Sequence, residues 1–193
     1  MRPTIVIIFT LLFTAISAPT FATWTLDNNA SRLNFVSVKK GTVAENHQFT
    51  QLSGEINKQA QVNISVDLAS VNTHIAIRDQ RMKKFVFETD KFSAATFVAQ
   101  LDKSLLQTLK VGEVQTLNVD GKIAFHGQQQ GATVEVSVVK LAENKILVNT
   151  IKPFFINADA YGVVAGINKL KELASLPSIN TVVPVNFSVT FNQ

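Results

Sequence analysis

Apolar residues recur at every second position in several separate stretches of this chain, a period that fits half-buried β-strands and not helices. Val62, Ile64, Val66 and Leu68 take one side of the first clear stretch, while Asn63, Ser65 and Asp67 take the other. Leu117, Val119, Ile123 and Phe125 share one parity with Gly121, and Val134, Val136 and Val138 alternate with Glu135 and Ser137. The last strand is the cleanest: Val185, Phe187, Val189 and Phe191 are separated by Asn186, Ser188 and Thr190.

Weaker runs fill the intervals. Trp24 to Lys40 carries a turn signal at Asp27-Asn28-Asn29 and then a strand from Arg32 to Val38. Val43 to Ile56 reads as one or two strands with a break near Ser53-Gly54, and Thr96 to Leu106 is strand-like. Gly127 to Gly131 marks a hairpin, and Ile146 to Ile156 holds Pro153, which suits an edge or bulge. Helix is expected twice, in a short piece at Met82 to Phe87 and at Gly166 to Leu176. In the second, Ile167, Leu170, Leu173 and Ala174 recur at helical spacing before Pro177. About eight or nine short strands with one late helix predict a single all-β domain, an antiparallel barrel or sandwich.

The ends and the composition narrow the class. Met1 to Ala22 has a basic start at Arg2, an apolar run from Ile5 to Ile16 and a small residue at the expected cleavage position. It reads as a signal peptide, leaving residues 23–193 as the exported domain. Removing Arg2 lowers the formal charge from +4 to +3. The chain has no cysteine, so neither a disulfide scaffold nor thiolate chemistry is available. The basic residues are scattered, which gives nucleic-acid binding no support.

The stretch from Val62 to Phe97 is the candidate site. Its strand runs into charges at Arg78, Asp79, Arg81, Lys83 and Lys84, and then into Phe85, Phe87, Phe92 and Phe97. That order suggests a binding mouth, with a polar rim beside an apolar interior, although each Phe also fits an ordinary core position. Neighbours on a regular strand face opposite ways, so Arg78 and Asp79 engage one partner only where the backbone turns. Two readings stay open for them: a structural anchor at the strand's end, or an Arg78 that meets an anionic or carbonyl head group.

Catalytic and metal signatures are missing. His47, His74 and His126 are not at ligand spacing from one another, and no metal site is expected. His126 reads as a solvated turn residue and His74 as a residue of the rim. No nucleophile elbow, phosphate loop or dinucleotide fingerprint occurs. An enzymatic alternative would draw on His74, Asp79 or Tyr161, but the expectation is a protein without catalysis.

The motifs in order resemble the YceI-like family. They are Trp24-Thr25-Leu26-Asp27 with Ala30 to Phe35, then Ser70-Val71-Asn72-Thr73 with Arg78-Asp79 and Arg81-Met82. Thr96-Phe97 and Val119 to Gly127 complete the set. The resemblance implies an extended, lipocalin-like antiparallel β-barrel of about eight strands, exported to the periplasm. It implies an amphiphilic lipid, a polyisoprenoid or isoprenoid quinone, held in the barrel's tunnel, and no other cofactor. Carried onto this sequence, the tunnel candidates are Phe85, Phe87, Phe92 and Phe97 with inward alternating residues such as Leu68, Phe125 and Phe187. Ser93-Ala94-Ala95 stands where the family pattern has a proline, and the Ala158 to Leu176 insertion is longer than usual. That insertion caps the tunnel, narrows it or meets a partner. The partners expected are the lipid and a transient inner-membrane protein or membrane surface, for a monomer or homodimer. A second function reading is a solid barrel whose 166–176 helix docks a membrane partner.

Overall fold

A computed structural model describes residues 23–193, so the expected signal peptide, Met1 to Ala22, lies outside the described residues. The strands are β1 (Trp24–Lys39), β2 (Val43–Phe49), β3 (Leu52–Ile56), β4 (Gln61–Asp67), β5 (Val71–Asn72) and β6 (Ala94–Gln100). They continue as β7 (Val114–Phe125), β8 (Gln128–Ala142), β9 (Lys145–Thr150), β10 (Phe154–Asn157) and β11 (Val182–Asn192). All pairings are antiparallel, in the order β10-β11-β9-β8-β7-β6-β4-β3-β1-β2-β5, and β11 also pairs with β1. That extra pairing, from Thr25↔Asn192 to Phe35↔Val185, closes eight strands into a barrel. Closure removes the open edges of those strands. β2, β5 and β10 prolong the wall beyond the ring at one end.

The long first strand serves two neighbours on one edge. Trp24 and Thr25 pair with β3, while Leu33 to Lys39 pair with β2. The expected turn at Asp27 to Asn29 is instead a register shift inside β1, between Asp27 and Arg32. The Asp27 carboxylate holds it by accepting the amides of Asn29 and Ala30 at 3.0 and 3.3 Å. Such a bulge bends a strand without ending it.

Other boundaries move for local reasons. The break between β2 and β3 falls at Thr50-Gln51, and Ser53-Gly54 lies inside β3. The β7–β8 hairpin turns on His126 and Gly127 alone, since Phe125 pairs directly with Gln128. Both turn residues have positive φ, 50° and 76°, as two-residue hairpins with the right twist require. The glutamines after Gly127 are therefore strand residues, not loop. The run from Thr96 to Leu106 splits: β6 ends at Gln100, and Lys103 to Leu106 are helical.

Helix α1 (Ala76–Arg81) runs straight into a π-helical turn, Met82–Phe87, which ends at Glu88 with φ 46°. Helix α2 (Lys103–Thr108) follows β6, its Asp102 carboxylate accepting the Ser104 amide as an N-cap. The late insertion forms a 3-10 turn, Ala158–Tyr161, and helix α3 (Val164–Leu173). Leu106 of α2 packs with Trp24, Ile56 and Val62. The π-helical turn and α3 share a second core in which Met82, Val86 and Phe87 meet Val163, Ile167 and Val185. Burying each such side chain is worth about 1.5–3 kcal/mol, so the helices belong to the barrel and are not appendages of it.

Candidate functional site

A cavity of about 520 Å³ lies inside the wall made by β1, β2, β4, β6 and β11, under α1, the π-helical turn and α3. Cross-strand register explains its lining. Leu33 faces Phe49, Phe35 faces His47, Ser37 faces Glu45 and Lys39 faces Val43 along β1 and β2. All of these but Val43, which lies exposed at the rim, line the inner surface, because side chains alternate along a strand. Reading outward, that surface passes from aromatic and aliphatic to polar and then to charged. Along the other edge of β1, the neighbouring β11 supplies an uninterrupted apolar row of Val183, Val185, Phe187 and Val189. Phe35, Phe49, Phe87 and Phe125 form a chain of rings with successive centroids 5.4, 5.6 and 6.1 Å apart.

The charged end is a network around Glu45. Its carboxylate accepts from Lys39 and from Arg78 Nη1, each at 2.9 Å. Lys39, and then Arg78, hold the Glu45 pKa below the usual carboxylate range. Arg78 Nη2 also donates to the Thr73 carbonyl at 2.7 Å. Asp79 accepts from the Thr73 amide at 2.8 Å and from its hydroxyl. Arg78 and Asp79 thus clasp the same residue, as neighbours can where the chain leaves β5 for α1. This is the anchor of the two sequence readings. Arg78 nonetheless lines the cavity, and its Nε is buried without a partner.

His47 sits one step further in. Its ring is 3% exposed and lies 5.1 Å from the Phe35 ring. Nε2 is 2.8 Å from Ser37 Oγ, and Nδ1 has no partner. Burial first, and then the Arg78 charge, lower its pKa to about 4. The imidazole is therefore neutral at pH 7. A bare lone pair at Nδ1 costs less to bury than an unpaired N–H, which favours the tautomer donating to Ser37.

Six of the sequence candidates line the cavity: Leu68, Arg78, Phe87, Phe97, Phe125 and Phe187. Phe97 reaches it across Gly121, where an added Cβ would come within 2.5 Å of the ring. The other five do not line it. Phe85 turns its ring toward Lys84, 5.3 Å away, and its carbonyl abuts Gly166. Phe92 stacks on His126 at 4.4 Å, outside the cavity. His126 itself is no solvated turn residue: it bonds Glu88 at 2.9 Å with 14% of its side chain exposed. His74 is exposed at φ 60°, Asp79 is spent on Thr73, and Tyr161 is buried against Phe125. No hydrogen bond joins His74, Asp79 and Tyr161, and among the described residues no acidic or histidine cluster is placed to hold a metal ion.

Sequence reasoning passed over Phe35, Phe49, Glu45 and His47, the wall of β1 and β2. Their face carries polar residues inward and Val36 and Val38 outward, which inverts the usual hydropathy signal. Ile75 and Ile77 were missed as well. They line the cavity yet remain 45% and 53% exposed, which marks its opening beside α1.

Comparison with known structures follows the same architecture. A polyisoprenoid binding domain from Saccharophagus degradans, implicated in plant cell wall breakdown, superposes with a TM-score of 0.86. It is 38% identical over 88% of this chain and 97% of its own. BcnA of Burkholderia cenocepacia has 18% identity and a TM-score of 0.63, covering 86% of this chain and 98% of its own. A YceI protein of Campylobacter jejuni has 14% identity and a TM-score of 0.54 over 76% and 84%; these two speak to the fold alone. No curated protein matches the sequence. Residues 24–191, nearly everything from the first strand to the last, match the YceI-like domain, and the chain belongs to that family.

Proposed function

We propose that the protein encloses an isoprenoid-type lipid, a polyisoprenoid or isoprenoid quinone, for carriage or sequestration and without catalysis. The observation that carries this is the cavity: its charged groups gather at one end, and apart from Thr96 the remaining wall is aliphatic and aromatic. Its volume of about 520 Å³ falls in the range of small-molecule sites, about 300–1,000 Å³. An amphiphile with an apolar chain and a small polar head matches that division. The description of the 38%-identical domain as polyisoprenoid binding supports the same class of ligand. The N-terminal sequence supports an exported, periplasmic setting in which such a lipid needs shelter from water.

The reading of α3 as a docking helix for a membrane partner is weaker. Ile167 is buried, and Ile167 and Leu170 both line the cavity. The apolar stripe is thus largely used within the protein.

Native mass spectrometry of the protein from its producing cell, followed by lipid extraction, tests the proposal. One isoprenoid per chain is the expected result. A protein that arrives empty and takes up neither added polyprenyl nor quinone lipids sinks it.

A further inference from the structure

The opening of the cavity combines exposed aliphatic side chains with uncompensated positive charge. Val43, Ile75, Ile77 and Leu173 are 40, 45, 53 and 37% exposed. Four contacts bring them to one side of the molecule. Arg78 bonds Glu45 and so joins α1 to β2. Arg81 Nη1 reaches the Leu173 carbonyl at 3.4 Å, joining α1 to the end of α3. The Lys40 amide donates to the Ser178 carbonyl at 3.1 Å, and Lys39 bridges Ile179, joining the β1–β2 hairpin to the segment after α3.

The same side carries Lys39, Lys40, Arg78, Arg81 and Lys171 against Glu45 and Asp79, while Lys169 and Glu172 pair with each other. The surplus of three equals the whole net charge of residues 23–193, so the rest of the molecule balances to zero. A second exposed patch, Val111, Val114 and Leu141, lacks this property: its Lys110 and Lys140 are matched in number by Glu113 and Glu143, and Lys140 bonds Glu143 at 2.8 Å.

We propose that the opening docks on an anionic lipid bilayer. Val43, Ile75, Ile77 and Leu173 would enter the headgroup layer while the lysines and Arg81 face lipid phosphates, the two forces that hold interfacial proteins. Docked this way, the apolar interior meets hydrocarbon without an intervening layer of water. The charge surplus selects a bilayer over an apolar protein partner, which would leave these cations without counter-charges. The inference depends on an apolar cavity opening here and not on which lipid fills it.

Flotation of the purified protein with vesicles tests it. Vesicles of phosphatidylglycerol and phosphatidylethanolamine are expected to carry the protein upward, and phosphatidylcholine alone is not. Raised salt weakens the interaction. Ile77→Glu is expected to lower recovery at least tenfold, and Lys40→Ala about fivefold, while Val114→Glu leaves it unchanged. Leu173→Glu repeats the first arm should Ile77→Glu disturb α1, with far-UV circular dichroism reporting the fold of each. Equal binding to both vesicle types, no binding to either, or equal losses in Val114→Glu and Ile77→Glu would overturn the proposal. Self-association abolished by Ile77→Glu, without vesicle binding, would give the face to a second copy. Because lipid extraction reads cargo and flotation reads docking, either idea can fail while the other stands.

Discussion

The carbonyl of Phe85 rests on Gly166, so closely that a Cβ at residue 166 would overlap it. This contact lets α3 lie against the π-helical turn with no side chain between the two backbones. Val86 Cα would also stand only 2.8 Å from that Cβ. Neither neighbour is the loose end of a side chain.

Gly166→Ala is therefore expected to destabilise, although alanine suits a helix better than glycine by about 1 kcal/mol. Overpacking against rigid backbone costs about 1–3 kcal/mol, and contacts this short place the cost at the upper end. A fall in Tm of about 5 °C is expected. A thermal melt that is unchanged or raised would mean that α3 rides on the barrel more loosely than its core contacts imply.

Asp79 separates a structural anchor from an acid–base role. Both of its bonds to Thr73 arrive at one oxygen, Oδ1, which an asparagine also possesses. Asp79→Ala should cost about 1–3 kcal/mol, and Asp79→Asn less than half of that loss. Urea denaturation of the two variants gives the comparison. Equal losses would show that the charge, not the acceptor, matters at this position.

His47 makes stability depend on pH. Its folded pKa of about 4 lies below the unfolded value near 6.5, so unfolding takes up a proton between those limits. Its contribution is fully present above about pH 6.5 and is lost as pH falls through 4. The loss at pH 4 is on the order of 3 kcal/mol. His47→Gln should flatten this part of the curve, read as the urea midpoint from pH 7 to pH 4. A wild-type midpoint that holds constant across the window would contradict the buried, neutral imidazole.

Ala95 packs against both of the larger core clusters and also lines the cavity. Ala95→Phe puts a ring into the lumen at an overpacking cost of about 1–3 kcal/mol. Retention of the lipid proposed to fill the cavity should fall at least tenfold while the far-UV spectrum keeps its β-signature. Unchanged lipid content would move the binding site elsewhere.

The barrel was legible wherever a strand buries one face, because Val62 to Leu68 or Val185 to Phe191 can alternate only one way. The cavity's wall was less so. On β1 and β2 the inner face carries Ser37, Lys39, Glu45 and His47, which hydropathy assigns to solvent. Interior polarity is what an amphiphile's head would need, so the signal fails at the site itself. The phenylalanines failed differently. Phe85, Phe87, Phe92 and Phe97 are close in sequence, but the π-helical turn and the hairpin beside it point Phe85 and Phe92 away from Phe87 and Phe97. The anchor at Arg78 and Asp79 was anticipated as one of two readings, since it needed only a bend at the strand's end.

The pairing of β1 with β11 joins the two ends of the described chain. Ser31 Oγ accepts the Thr190 amide across 159 residues of chain, and contacts of such sequence separation form late and slowly. Val183, Val185, Phe187 and Val189, one whole wall of the lumen, arrive only with that final segment. The lumen is complete only once that segment is in place, so a lipid held as proposed would enter the finished barrel through the opening.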